Sequence, residues 1–287
     1  MKILTDCAAD MPAEEAEALD ITVAPLFIQF PEGEVSSNDL SPDEFYQRLV
    51  DMQPHVPTTA QPSAGIFTEL FRKLASSGED ILSIHISSGL SGTINSARLA
   101  TEKIKECSVQ VIDSLTLSGG QRFQVLAAAR AVKAAWHKAA ILERLEAISK
   151  ATEVIYTLDT LTYLARGGRI GRVQALAGSL LGIKPIIRMD RTDGKYSTAG
   201  KARTINRALQ DITDHLAKLY GTETALWVSV LHGKFEEQAH TLANLLKDRL
   251  NVARLEILRV SPVLGVHTGP GVVGAAVLPI HLLEDIK

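Results

Sequence analysis

Alternation of apolar and polar positions divides this chain into short strands and longer helices. Apolar, often β-branched runs fall at residues 3–4, 21–30, 81–86, 109–112, 154–158, 183–187, 225–231 and 254–260, each closed by small or polar residues. Between them, apolar residues return at helical spacing over 12–19, 64–74, 94 onward, 118–135, 141–149, 203–219 and 236–250. Strand followed by helix occurs four times in the first half, which predicts a parallel sheet covered on both faces. The pattern changes near residue 150. Asp193-Gly194 between two apolar runs is a hairpin signal, and hairpins mixed with helices predict a partly antiparallel sheet. The expected fold class is therefore α/β: an N-terminal parallel α/β sandwich domain at 1–150 and a mixed α/β domain at 151–287.

The most informative stretch is 81–98, ILSIHISSGLSGTINSAR. A β-branched run stops at Ser87-Ser88-Gly89, and helical spacing resumes near Ile94. A strand, a small-residue turn and a helix start is the arrangement in which backbone N–H groups converge on one point. Ser87, Ser88, Ser91 and Thr93 add hydroxyls, so the turn should hold an anionic or polar oxygen. No Gly-Lys-Ser/Thr ending makes it a nucleotide P-loop, and its glycines do not match the dinucleotide fingerprint.

Other segments carry weaker signals. Ser41-Pro42-Asp43-Glu44 reads as a capping box with proline at the first helical position. Residues 54–63, PHVPTTAQPS, contain three prolines and are expected to be irregular. They hold the polar tips of Thr58, Thr59, Gln61 and Ser63 either as a pre-formed binding surface or as a plain rigid loop ending in a cap. Pro25 marks an edge or bulge in the 21–30 strand. Asp10 is expected to cap the helix that follows it, with a functional cleft as the alternative. Cys7 reads as a partly buried thiol, His137 as decoration, and 178–181 as a small apolar segment. Arg166, Arg169 and Arg172, spaced by glycines, form the only dense basic cluster, suited to a phosphate, to an acidic partner or simply to solvent.

Composition narrows the classes. With 46% hydrophobic and 22% charged residues, the profile is globular, and the net charge of −3 gives no support for nucleic-acid binding. No apolar run is long enough to span a membrane, and the opening residues read as the first strand of a cytoplasmic protein. Cys7 and Cys107 form no metal-type cluster and are read as free thiols.

Several stretches, in order along the chain, together resemble the DegV family of bacterial lipid-binding proteins. They are Thr5-Asp6-Cys7-Ala8-Ala9-Asp10, Thr58-Thr59-Ala60-Gln61-Pro62-Ser63, Ser87 through Ala97, Asp113-Ser114, Tyr163 through Ile170, Lys184-Pro185 and His267-Thr268-Gly269-Pro270-Gly271. Cys7 and Ala60 depart from it, since the family pattern usually has Ser at both. The resemblance implies two domains with a lipid tunnel between them that buries one long-chain fatty acid. It implies a carrier, not an enzyme, that presents the carboxylate to a separate ATP-dependent fatty acid kinase, with at most transient membrane contact and no cofactor. On that basis Thr59, Ser91 and His267 are expected to donate to the carboxylate, His267 approaching on a Gly-Pro-Gly hinge. Ser88, Gly92 and Thr93 are further ligand candidates, and Arg166, Arg169, Arg172 and Arg203 are expected at the kinase. Two other readings compete: a serine hydrolase or acyltransferase with Ser91 or Ser88 as nucleophile, and a phosphosugar or nucleotide binder.

Overall fold

The computed structural model describes residues 1–177 and 182–286; the small apolar segment at 178–181 lies outside the described residues. The chain runs β1 (Lys2–Asp6), α1 (Ala13–Ala18), β2 (Ile21–Ala24), β3 (Phe27–Phe30), β4 (Gly33–Ser36), α2 (Pro42–Asp51), β5 (Thr58–Ala60), α3 (Ala64–Ala75), β6 (Ile81–His85), α4 (Thr93–Thr101), β7 (Val109–Asp113), α5 (Ser118–Lys133) and α6 (Lys138–Ala151). It continues with β8 (Glu153–Leu158), α7 (Thr162–Arg166), α8 (Gln174–Ala177), β9 (Lys184–Met189), β10 (Tyr196–Ala202), α9 (Ile205–Tyr220), β11 (Leu226–His232), α10 (Glu236–Arg249), β12 (Val252–Arg259), α11 (Pro262–Thr268), β13 (Val272–Pro279) and α12 (His281–Glu284).

The first sheet has the order β2-β1-β6-β7 and is parallel throughout. Period-two alternation sends Ile3, Leu82 and Ile84 to one face, against Phe123 of α5. Leu4 and Ile81 go to the other, against Phe67, Phe71 and Ala97 of α3 and α4. The second sheet has the order β10-β9-β8-β13-β11-β12 and is mixed: only β11 and β12 run parallel. Val154, Tyr156 and Leu158 of β8 face α5 and α6, whereas Ile155 faces the helix pair α9 and α10. The α5–α6 pair thus fills the space between the two sheets through one continuous apolar core. The fold is α/β, with a parallel and a mixed sheet, as the periodicity predicted.

Three local expectations fail. The 21–30 run is two strands, because Pro25 carries no N–H for the ladder and the chain leaves the first sheet there. The proline-rich 54–63 segment does form a strand, three residues long: Thr58–Ala60 pairs with β3 in a small antiparallel sheet, Ile28 opposite Thr59. Asp10 does not cap α1, whose N-cap is Pro12 with no side-chain bond. Asp10 instead adopts a left-handed conformation and bonds Ser118 and Ser261. The Ser41 capping box and the Asp193-Gly194 hairpin form as expected. His137 caps α6, accepting from the Ala140 N–H at 3.1 Å.

Candidate ligand-binding site

The turn after β6 is tied down from within. The Ser87 N–H donates to the Thr116 carbonyl, and the Leu90 and Ser91 N–H groups return to the Ser87 carbonyl. The Ser87 hydroxyl donates to the Gly194 carbonyl at 2.7 Å, which fastens the turn of the first sheet to the β9–β10 hairpin of the second. A Cβ at Gly89 would lie 2.7 Å from the carbonyls of Asp193 and Gly194, so only glycine permits this approach. Ser87 and Thr93 are fully buried, so their hydroxyls serve the turn. Ser88 is exposed, and Ser91 and Gly92 are half-buried at the edge of an open cleft. Ser91 Oγ and Thr93 Oγ1 lie 2.8 Å apart, and the Thr93 N–H donates to Ser91 Oγ.

Thr59 and His267 come together from the small sheet and from α11. Thr59 Oγ1 and His267 Nε2 lie 2.8 Å apart. His267 sits in the last turn of a helix that opens with Pro262 at its first position, not on a hinge. Burial first, and then the Arg169 guanidinium, hold its imidazole down to about 4, so the ring is neutral at pH 7. A neutral imidazole and a hydroxyl carry two donor hydrogens between them and use one in their mutual bond, leaving one for a ligand. His267 Nδ1 is buried with no partner. Gln61, two residues beyond Thr59, packs its amide on Gly92 and donates to Ser96, which links β5 to the Ser91 turn.

The open cleft, of about 710 Å³, is lined by Ser88, Ser91 and Gly92 of the turn after β6, by Gly168, Arg169 and Arg172, and by Lys195 and Tyr196. Thr59 and His267 do not line it. They adjoin it through Gly167, which packs on the His267 ring, and the neighbouring Arg169. The four arginines do not act as one cluster. Arg166 donates to the Pro54 carbonyl and Arg169 to the Gly167 carbonyl, and Arg172 pairs with Asp190 and Asp193. Arg203 is exposed just before α9, without a carboxylate partner among the described residues. Two carboxylates beside Arg172 work against a multiply charged phosphate there.

Tyr196 leads inward. Its ring meets that of Tyr156 edge-on, centroids 5.9 Å apart at 84°. Tyr156 lines an apolar slot with Leu117, Val154, Leu231, Leu264 and Val272. The slot is closed down to about 20 Å³, room for little more than one water molecule. The tyrosines lie 40 positions apart in sequence, so no local pattern could pair them.

A buried constellation resembles a hydrolase triad. Ser83 Oγ lies 2.6 Å from His85 Nε2, and His85 Nδ1 lies 2.9 Å from Asp6 Oδ2. All three residues are 0% exposed, beneath the Phe67 ring, and Asp6 also accepts from the Ile86 and Ala8 N–H groups and from Gln121. With no path to solvent, the set serves the core. Spacing two apart on a strand puts Ser83 and His85 on one face, the signal that sequence reading passed over. The nucleophile–base pair of the rival reading is not formed, since Ser91 bonds Thr93 and His267 bonds Thr59. Burial lifts the Cys7 thiol to about 12, so it is no nucleophile either.

A parallel α/β layer and a mixed sheet thus meet beside a hydroxyl-lined cleft, with the Thr59–His267 pair adjoining it and an apolar slot reached through Tyr196 and Tyr156. The family model described as "Uncharacterised protein, DegV family" matches residues 1–279, and the chain belongs to that family. It is 36% identical over 260 residues to a DegV domain-containing protein of Deinococcus radiodurans, covering 91% of this chain and 90% of that one. Among solved structures it is similar to a fatty-acid-binding DegV family protein from Thermus thermophilus, with TM-score 0.90, 29% identity, and 97% and 99% of the two chains covered. It is likewise similar to DegV, a fatty acid binding protein from Bacillus subtilis, with TM-score 0.87, 31% identity, and 96% and 98% covered. No helix among the described residues is long and apolar enough to cross a membrane.

Proposed function

We propose that this protein binds a long-chain fatty acid and presents its carboxylate to a separate fatty acid kinase. The observation that carries the reading is the Tyr196–Tyr156 contact, which joins a polar cleft to an apolar slot as an amphipathic ligand requires. The carboxylate takes hydrogen bonds from Ser91 and from the one donor that the bonded pair Thr59 and His267 leaves free, with Ser88 and Gly92 beside it and Thr93 fixing the Ser91 hydroxyl. The slot parts to admit the acyl chain, and each methylene buried there contributes about 0.8 kcal/mol. The division at residue 150 belongs to this proposal, with one ligand held from both sides of it. Fatty-acid binding by the Thermus and Bacillus relatives supports it.

The test is fatty-acid titration of the wild type and of T59A, S91A and H267A. Each variant should lose about 1–3 kcal/mol of affinity, the cost of removing a donor from a buried charged group. Wild-type affinity in all three, with the fold intact, would refute the site. Exposed Arg166 and Arg203 are proposed to meet the kinase, together with Arg169 and Arg172. The R166E/R203E variant should keep lipid affinity and lower phosphorylation at limiting carrier concentration. Unchanged turnover would remove that assignment.

A further inference from the structure

Helix α11 carries the imidazole of the proposed head-group site, yet its own sequence does not anchor its start. Ser261, the residue before Pro262, is a good capping residue by type, but its side chain makes no cap, and its Oγ is buried without a partner. The backbone groups at this end are taken by residues from far earlier in the chain. The Ser261 N–H donates to Asp10 Oδ1 at 2.8 Å, and the Val263 N–H donates to Ser37 Oγ at 3.2 Å. Tyr46 of α2 donates its hydroxyl to the Val260 carbonyl at 3.2 Å, just ahead of the helix.

Asp10 does more than cap. Its other carboxylate oxygen accepts from the hydroxyl of Ser118, the first residue of α5, at 2.5 Å. One carboxylate thus joins the turn after β1, the helix between the two sheets and the start of α11. Asp10 and Ser118 are 7% and 4% exposed. Both adopt positive φ, 50° and 54°, a conformation that residues with a side chain seldom take and that tertiary contacts must hold in place. Burial lifts the Asp10 carboxyl to about 6, so at pH 7 it is mostly ionised and accepts both bonds as a carboxylate.

The body of α11 carries this anchor to its other end. Every residue from Pro262 to Thr268 is buried. A Cβ at Gly265 would lie 2.6 Å from Phe45 Cε1 and 2.8 Å from Tyr46 Oη, so the helix rests directly on α2. Seated there, it is free only to slide or turn, and the bonds at its start oppose both. His267 stands roughly 9 Å further along, at 1.5 Å per residue. Its contact with Thr59 is 2.8 Å long, and a slip of about 1 Å would break a bond of that length.

Building on the fatty-acid reading, we propose that Asp10 is a positioning residue for the head group. Through Ser261 it fixes the place of α11, and so holds the His267 imidazole against Thr59, the pair that gives the carboxylate its donor. Asp10 acts through the helix rather than by touching the ligand.

The experiment titrates palmitate into the wild type, D10G, D10N, S118A, H267A and D10G/H267A. Glycine takes φ of 50° without strain, so D10G removes the carboxylate alone. Asparagine also tolerates that conformation and keeps an oxygen for the Ser261 N–H. D10G should bind about tenfold more weakly, within the loss expected for removing the donor itself, and D10N should restore most of the affinity. The double variant should be no weaker than H267A, because the imidazole is the route by which Asp10 acts. Losses that multiply in the double variant, or a D10N as weak as D10G, would overturn the proposal. A second readout needs no lipid. With ¹⁵N-labelled histidine, the ring signal absent from H267A should move in D10G and S118A and stay in place in D10N. An unmoved signal in folded D10G and S118A would overturn the positioning role whatever the affinities. A signal that moves as expected in a protein whose wild type binds no palmitate would overturn the fatty-acid reading alone.

Discussion

Arg122 offers a severe test of how the two sheets are held together. It lies in α5 at 2% exposure and forks onto Glu15 of α1 at 2.6 and 2.9 Å. On its other side it donates to Glu256 of β12, at 2.5 and 3.3 Å, and to Ser229 at 3.3 Å. One guanidinium thus links the covering helix of the first sheet to an edge strand of the second. Arg122→Met keeps the length and removes the charge, leaving two carboxylates that were paired. Breaking a buried pair costs about 3–5 kcal/mol. Both carboxylates are 19% exposed, and Glu256 keeps bonds from Trp227 Nε1 at 2.8 Å and Ser229 Oγ at 2.5 Å. The expected loss therefore sits at the lower end, about 3 kcal/mol. The triple variant R122M/E15Q/E256Q should recover most of it, because the stranded charge is gone. Urea unfolding followed by tryptophan fluorescence is a direct assay, since Trp227 packs against Arg254 at 3.7 Å beside this cluster. A loss below about 1 kcal/mol in R122M, or a triple variant weaker than R122M, would refute the reasoning.

Two further expectations concern stability. Burial works to raise the Glu153 carboxyl, but hydrogen bonds from His215 and Arg188 and the charge of Arg191 prevail and hold it at about 2. Its folded value lies below the ordinary 4.5, so its contribution, about 3 kcal/mol, is present above pH 4.5 and lost as pH falls toward 2. Thermal midpoints of E153Q and wild type should therefore converge in acid, and a gap independent of pH would contradict this. Gly194 has φ +64°, and a Cβ there would lie 3.0 Å from Leu115 Cα. G194A should cost more than about 1 kcal/mol and weaken ligand binding by shifting the hairpin off Ser87. A melting curve and a titration matching wild type would show that the hairpin does not fix the turn.

What the sequence made legible was local. The 81–98 stretch reads correctly because a β-branched run, small residues and helical spacing each act within a few positions. The hairpin at Asp193-Gly194 is legible for the same reason. The helix carrying His267 was missed although Ser261-Pro262 is a start signal, because the Gly-Pro-Gly that follows dominates the reading. Strand β5 was missed because three residues among prolines show no period; its place comes from pairing with β3. The carboxylate partners of Arg172 were not legible, since Asp190 and Asp193 reach it only once the hairpin folds back. Asp10 is similar. A left-handed conformation imposed by partners more than a hundred residues away leaves no trace in its neighbours.

Strand order carries a consequence for the growing chain. β13 is the last strand made among the described residues, yet it lies between β8 and β11, antiparallel to both. Until it emerges from the ribosome, the β8–β9–β10 meander and the β11–β12 pair are separate fragments, each with a bare edge of unpaired backbone groups. The second sheet therefore closes in one late step, by insertion of a strand rather than by growth at a margin. α11 immediately precedes that strand, so His267 reaches Thr59 as the sheet becomes continuous. A nascent chain stalled before residue 272 would present sticky edges and no finished pocket, a state for chaperones to shield rather than a smaller working protein.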